Sequence, residues 1–495
     1  MVFDSTGIER GDDGVARYRD LDRNLVRGFR RAVEAHPDRT AVVELGGPTA
    51  TYRELWDRSR RVAGGLRDAG VRAGDRVAVA LPNGLDWMLA FWGAQLAGAV
   101  VVPLNTRLAA AETEFVLADS GAAVTVGGLP DGEPADPADP GPDDVAALFY
   151  TSGTTGRPKG AVLTQANFLS SSENVRRCRE LDPAQDNVSL VSVPLFHVTG
   201  CCSQMVTQVL LAGTTVLMPR FRPETFLSAV AEHRVTLLTS VPTIYELVLR
   251  HPDLATTDLS SVRTLSYGGA PIAPELVHRL RVAFPGVALG NGFGLSETTA
   301  LATFLPDAWT DAHADSVGFP APAVDVDLDR PDPETGVGEL LVRGPNVAAG
   351  YWGDRSRTEE TFVGGWLHTG DLATIDDSGM VRIVDRAKDM INRGGENVYS
   401  VEVENVLAEH PDVLEVAVVG VPDPVMGEKV GAVVLARPGT AVEPAELAAF
   451  ARERLADFKV PQYLRVLDGP LPRNAGGKVQ KGALRTATDW LPVPR

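Results

Sequence analysis

The chain has 495 residues, too many for one hydrophobic core at about 100 to 200 residues per domain, so it implies about two to four packed units. With 44% hydrophobic and 23% charged residues it has the make-up of a globular protein, and its formal charge of −18 argues against a nucleic-acid or anionic-membrane surface, which would need excess Lys and Arg. The three cysteines, Cys178, Cys201 and Cys202, are odd in number with one adjacent pair, which argues against a disulfide framework and for a reducing, cytoplasmic setting.

Residues 1–20 mix Asp, Arg and Gly without the apolar stretch of a signal peptide. Helical patterns over Tyr52–Ala69 and Ala111–Ser120 alternate with strand-like runs at Arg76–Leu81 and Ala99–Leu104, which predicts parallel-sheet α/β architecture. Trp87–Leu104 is apolar enough to resemble a membrane span, but Gly98 and the β-branched run Val100–Val102 divide it into a buried helix, a stop and an interior strand. Gly127–Asp144, rich in Pro, Gly and Asp, reads as a surface linker between two α/β units. No repeat of solenoid period is present. From Val324 onward, short strand-like pieces at Gly338–Arg343 and Leu372–Asp376 suggest a small antiparallel or barrel-like unit. After Asp385 the order is helix Ser400–Glu409, strands Val413–Val421 and Val430–Ala436, and helix Pro444–Leu455, the pattern of a small α+β domain.

Lysine is rare. Of the 47 basic residues six are lysines, Lys159, Lys388, Lys429, Lys459, Lys478 and Lys481, and the remaining 41 are arginines. A chain that uses Arg for surface charge keeps some of its lysines where a compact, mobile ammonium is needed. Lys159 closes Tyr150–Gly160 (YTSGTTGRPKG), in which hydroxyl residues among glycines can converge on an anion beside that ammonium. It is a phosphate grip, and it lacks the Gly-Lys-Ser/Thr ending of the Walker loop.

This segment resembles the signature loop of the adenylate-forming superfamily, which includes acyl- and aryl-CoA synthetases, peptide-synthetase adenylation domains and beetle luciferases. The resemblance runs from about Leu25 to Leu484 and is closest in its motifs to the acyl-CoA synthetases. It implies a multidomain α/β fold: a large N-terminal domain, residues 1–387, of α/β sheets with a barrel-like subdomain, and a small mobile α+β domain, residues 388–495. It places the ATP phosphates on Thr151, Ser152, Gly153, Thr154, Thr155 and Lys159, with Thr154 and Glu297 at Mg²⁺.

Further motifs carry the resemblance on. Pro194–Gly200 (PLFHVTG) supplies His197, implied at the boundary of the acyl pocket and the α-phosphate, although a lone His beside an apolar strand is more often a core residue. Gly268–Pro271 (GGAP) and Asn291–Thr299 (NGFGLSETT) resemble the adenine-binding segments, with Gly269, Ala270, Asn291, Gly292 and a stacking Phe293, while Ser296 would bond the α-phosphate. Asp371 in GWLHTGD and Arg386 in VDR are implied ribose contacts. Lys388 occupies the hinge position, and Gly394 and Gly395 line the pantetheine tunnel, though they could equally form a plain turn. Lys478 in LPRNAGGKVQK is the implied catalytic lysine, which reaches both the substrate carboxylate and the α-phosphate.

What the resemblance implies is ATP-dependent conversion of a carboxylic acid to an acyl-AMP, followed by transfer to coenzyme A. A carrier-protein thiol, an amine, or nitrite and aryl-amine chemistry remain alternative acceptors. Val198–Gln204 has no acidic residue to pair with an α-ammonium, and Leu247 stands where malonate-activating relatives carry Arg. The expected pocket residues Val198, Thr199, Cys201, Ser203, Val241 and Tyr245 are neutral and suit an aliphatic or aromatic monocarboxylate. A free-standing carrier protein and a second copy of the chain, as a homodimer, are candidate partners. A non-catalytic nucleotide-binding protein of this fold would be expected to lose Lys478 or Glu297, and both are present.

Overall fold

A computed structural model describes residues 2–151, 158–473, 479–487 and 489–493. The chain divides into two compact units. The first comprises Met1–Ile272, Leu276–Val326 and Leu341–His368, and the second Ala273–Glu275, Asp327–Leu340 and Thr369–Arg495.

Two sheets organise the first unit. In the larger, parallel strands Thr40–Glu44, Thr214–Leu217, Val188–Val191, Leu237–Ser240, Thr264–Gly268 and Ala288–Phe293 lie side by side in that order, with antiparallel strands at both edges. In the smaller, Val124–Val126, Arg76–Val79, Val100–Pro103 and Val145–Thr151 are parallel, and Lys159–Thr164 returns antiparallel to the last. The apolar stretch is resolved as expected: helix Leu85–Ala97 is buried except at Asp86, Gly98 caps it at φ +76°, and strand Val100–Pro103 follows. Trp87, Phe91 and Trp92 belong to one apolar cluster with Phe29 and Phe168. Among the described residues no helix is long and apolar enough to cross a membrane.

Helix Tyr52–Asp68 starts at a capping box, in which Thr51 and Glu54 satisfy each other's end of the first turn. Its Gly64 and Gly65 correct the reading of Gly127–Asp144. A Cβ on Gly64 would lie 1.9 Å from the Glu133 carbonyl oxygen, and one on Gly65 would lie 2.6 Å from the Asp131 nitrogen. The segment therefore runs along a glycine groove in this helix, buries Ala135 and bonds Ala138 N–H to the Leu96 carbonyl. Both of its ends lie in the first unit, so it packs within one body instead of linking two.

The short strands expected after Val324 are present as Asp325–Asp329, Gly338–Arg343, Phe362–Val363, Trp366–Ile375 and Val381–Arg386, which form a five-stranded sheet. Within the second unit, Val413–Asp423 and Gly427–Ala436 pair antiparallel across a tight turn, and helices Ser400–Ala408 and Pro444–Arg452 complete the α+β pattern. Tyr463–Leu467 adds a strand parallel to Gly427–Ala436.

Candidate active site

Lys159 opens strand Lys159–Thr164, paired with Thr151 across the small sheet. The outer edge of that strand is taken by residues 349–352: Val162 N–H donates to the Gly350 carbonyl at 2.9 Å, and Trp352 N–H to the Gly160 carbonyl at 2.8 Å. This pairing carries Tyr351 to a point between two charges. Lys159 Nζ donates to Tyr351 Oη at 2.5 Å, and Tyr351 Oη donates to Glu297 Oε1 at 2.7 Å, while Lys159 and Glu297 stand 3.4 Å apart. Burial and the neighbouring Glu297 carboxylate both push the Tyr351 phenol upward, so it stays a neutral hydrogen-bond relay.

Glu297 is nine-tenths buried in a single 3₁₀ turn, Ser296–Thr298. The chain then doubles back through Thr299 at φ +51° and Ala300 at φ +97°, left-handed positions that side-chain-bearing residues rarely occupy. Asn346 holds this bend by donating to the carbonyls of Thr298 (2.9 Å) and Leu301 (2.8 Å), and its own carbonyl accepts from Thr299 Oγ1 at 2.7 Å. Gly294 is required because a Cβ there would fall 1.5 Å from the Ala300 carbonyl oxygen. The hydrogen bond from Tyr351 and the approach of Lys159 both fall on Glu297 Oε1, so among the described residues Oε2 of this buried residue is open to a hard cation such as Mg²⁺.

At the ends of neighbouring strands, Gly268 faces Gly292, and a Cβ on Gly268 would lie 2.1 Å from the Gly292 carbonyl oxygen. Gly269 follows at φ +76°, and it and Ala270 are exposed. Asn291 is buried, its amide donating to the Ser316 carbonyl at 2.9 Å, while Phe293 and Ser296 are half-buried. Beneath these glycines lies a cleft bounded by Val198, Thr199, Ser203, Thr239, Ser266 and Arg179 among others.

Of the residues read as the acyl pocket, Val198, Thr199 and Ser203 line this cleft, whereas Cys201 and Tyr245 do not. Thr199–Val206 is a π-helix, so Thr199 and Ser203 share one face and Cys201, fully buried, turns to the core. Tyr245 is fully buried behind the sheet, donating to the Ser266 carbonyl at 2.8 Å. Val241 is beside Gly269, 3.7 Å from where its Cβ would be, and is not part of the cleft wall. His197 lies at the entry to the π-helix, its carbonyl accepting from Cys201 N–H and its ring packed on Phe196 at 4.7 Å. Thr151 ends its strand; Ser152, Gly153, Thr154, Thr155 and Lys478 lie outside the described residues.

The second unit brings Asp371 and Arg386 together as paired residues of adjacent strands, with Arg386 Nε 2.8 Å from Asp371 Oδ1. Lys388 is exposed in the turn that follows, its carbonyl accepting from Arg485 at 3.0 Å. Gly394 (φ +63°) and Gly395 (φ +95°) form the two-residue turn joining Ile391–Arg393 to Glu396–Val398. Two successive positive φ angles are what such a hairpin demands, so the backbone alone accounts for both glycines. Nearby, Lys481 Nζ contacts Glu404 and Ser400 at 2.6 Å each, and Ser400 binds Asp385 through both its N–H and its hydroxyl. Burial raises the carboxyls of Glu404 and Asp385 above their ordinary values, against the pull of Lys481.

Sequence reasoning missed Tyr351, Asn346 and Arg179. The Gly-Tyr-Trp run at 350–352, an aromatic pair after a glycine, was the one local signal for Tyr351.

The family model described as AMP-binding enzyme matches residues 29–133 and 127–352, and that of the AMP-binding enzyme C-terminal domain matches residues 402–478. A feruloyl-CoA synthase from Amycolatopsis sp is 43% identical over 482 residues, covering 92% of this chain and 97% of that protein. Among solved structures, o-succinylbenzoate CoA synthetase from Bacillus subtilis in complex with the acyl-adenylate intermediate is similar at a TM-score of 0.85 and 30% identity, over 95% of this chain and 100% of that one. The same synthetase with ATP and magnesium ion is similar at 0.83 and 31% identity, over 92% and 99%.

Proposed function

We propose that this chain, which belongs to the AMP-binding enzymes and forms acyl-CoA from a carboxylic acid, ATP and coenzyme A by way of an acyl-AMP, takes an oxygenated aromatic monocarboxylate as its acid. The observation that supports this substrate is the polar wall of the cleft, where Thr199, Ser203, Thr239 and Ser266 bring four hydroxyl side chains among apolar ones. A long alkyl chain would strip water from such groups without replacing it, at about 1–3 kcal/mol for each one left unbonded. An aryl acid bearing hydroxyl or methoxy oxygens can bond them. Consistent with this, the relative with 43% identity is a feruloyl-CoA synthase.

In the proposed division of labour, Lys159 binds ATP phosphates and Tyr351 keeps it aligned with Glu297. Magnesium, when bound, neutralises phosphate charge, and Glu297 would hold it. Lys478 lowers the repulsion between the acid's carboxylate and the α-phosphate as the mixed anhydride forms and pyrophosphate leaves. Phe293, Gly269 and Ala270 pack the adenine, Ser296 bonds the α-phosphate, His197 walls the acid, and Asp371, supported by Arg386, binds the ribose. Rotation of residues 388–495 about Lys388 then withdraws Lys478 and admits the thiol past Gly395, where AMP is displaced by an intrinsically strong nucleophile. The setting is cytoplasmic.

The test is a pyrophosphate-release screen over aromatic and aliphatic acids with and without coenzyme A, repeated with Lys478→Ala. The parent should respond to aryl acids. The variant should fail to make acyl-AMP yet still convert supplied acyl-AMP to acyl-CoA. A response confined to alkyl acids, or normal turnover in the variant, refutes the substrate or the lysine assignment respectively.

A further inference from the structure

Among the described residues, the buried guanidinium of Arg179 has no carboxylate beside it. Arg179 closes helix Gln165–Cys178, its N–H bonded to the Val175 carbonyl, and its side chain lies inside the protein, 9% exposed, on the wall of the cleft. Nη2 donates to Thr264 Oγ1 at 2.9 Å and to the Leu238 carbonyl at 3.3 Å. Nε is buried without a partner, and among the described residues no carboxylate pairs with this guanidinium. Burial pushes its pKa down to about 10, which leaves it charged at neutral pH.

Taking a charge out of water without a counter-charge costs several kcal/mol, so buried cations are normally paired. With 65 acidic residues in the chain, none of the described ones has been placed here. The two hydrogen bonds of Nη2 fix the plane of the fork, and Nε remains a buried donor without a partner in a residue that lines the cleft.

The position of Arg179 says which part of a ligand would meet it. Thr264 begins the strand whose last residue, Gly268, faces Gly292 at the other end of the cleft. Four residues of extended chain span about 13 Å, at ~3.3 Å per residue. An acid activated at the glycine end presents its far end to Arg179, at a distance that accommodates a three-carbon acid chain, one aromatic ring and a hydrogen bond.

We infer that Arg179 is a specificity-determining residue, whose guanidinium binds an oxygen at the para position of the ring, as phenol or phenolate, and so selects hydroxyaryl acids over analogues without that oxygen. The inference rests on the reading of the cleft as the acyl pocket of an aryl acid–CoA ligase. The hydroxyl wall favours an oxygenated ring without fixing where its oxygen lies; a buried guanidinium without a carboxylate beside it fixes the para position, because an apolar para substituent leaves it unsatisfied.

The test compares 3-phenylpropenoate with its 4-methyl and 4-hydroxy derivatives in acid-dependent pyrophosphate exchange, using the full chain and its Arg179→Met variant. The parent should favour the 4-hydroxy over the 4-methyl acid by tenfold or more in kcat/KM, carried mainly by KM, since sites built to bond a hydroxyl reject its absence strongly. In Arg179→Met that preference should shrink to within about twofold, with the 4-methyl acid used as well as before. Absorbance titration of the bound 4-hydroxy acid adds a readout a structural role would not move: the parent should ionise its phenol at lower pH than free solution does. Should Arg179→Met not fold, the substrate comparison and the titration on the parent still decide. Equal use of the 4-hydroxy and 4-methyl acids by the parent, an unshifted phenol, or an undiminished preference in the variant overturns the role of Arg179 alone. Failure of every aryl acid, with other acids active, overturns the substrate reading as well.

Discussion

Replacing Tyr351 by Phe removes one oxygen and with it both hydrogen bonds that connect Lys159 to Glu297. The bonds measure 2.5 and 2.7 Å, and each has one charged partner. Such bonds contribute about 1.5–3 kcal/mol each, and a substitution that leaves a buried polar group unsatisfied loses a further share of its desolvation. Against this, Lys159 and Glu297 are already 3.4 Å apart and can close directly, so part of the loss is recovered. The net cost to stability should fall at about 1–3 kcal/mol. Function should suffer differently: Lys159 drawn onto Glu297 is less available to phosphate, and Glu297 is less available to metal. We expect pyrophosphate release to need more Mg²⁺ and to slow by about tenfold, equivalent to ~1.4 kcal/mol of transition-state stabilisation. The assay is acid-dependent pyrophosphate release across a Mg²⁺ series, alongside thermal unfolding. A variant that melts lower but keeps the parent's Mg²⁺ midpoint and rate would show that Tyr351 is only a packing residue, and would refute the relay.

Gly268→Ala places a Cβ 2.1 Å from the Gly292 carbonyl oxygen, so two sheet strands must part; the KM for ATP should rise and stability should fall by about 1–3 kcal/mol, whereas an unchanged KM would remove this strand pair from the nucleotide site. Glu404→Gln tests pH dependence in the second unit. Burial raises the folded-state pKa of Glu404 above 4.5, so its contribution is fully present below 4.5 and is lost as pH rises through the raised value. Asp385 has the same sign, and Asp376, lowered by the Ser378 hydroxyl and then Arg382, and Asp423, lowered by Lys429 and nearby donors, act in the opposite sense below the ordinary carboxylate range. The unfolding midpoint of the parent should therefore decline as pH rises above 4.5, and the decline should be shallower in Glu404→Gln; identical slopes would mean that Lys481 fully offsets the burial.

Residues that act through their neighbours in sequence were legible. Lys159 ends a run of hydroxyls and glycines, Glu297 follows a Gly-Phe-Gly, and the stop at Gly98 needs only its left-handed φ to be understood. Tyr351 acts through strand pairing with residues about 190 positions away, and no local periodicity encodes that pairing. Composition was right that Gly127–Asp144 lies at the surface, where only Ala135 is buried, but misled on what it joins: the stretch connects two strands of one sheet. The signal was on the other side of the contact, in the adjacent Gly64 and Gly65 of an otherwise well-formed helix, which leave room for a backbone and little else.

The scarcity of lysine carried information of two kinds. Lys159 closes the segment read as a phosphate grip, but Lys429, Lys459 and Lys481 are each held by carboxylates, those of Asp423, Glu402 and Glu404. Lys481 shows why an arginine would not serve there: its ammonium is a point donor reaching Glu404 and Ser400 at 2.6 Å from one buried position, where a planar fork would need more room. Arg179 is the converse. As one of 41 arginines it is invisible in the composition, and its meaning comes from what surrounds it, a cleft wall where no carboxylate among the described residues answers it. The unmet charge is thus the feature of this site that depends most on the fold and least on any motif, and it is the part most able to differ between enzymes that share every other residue of the nucleotide machinery.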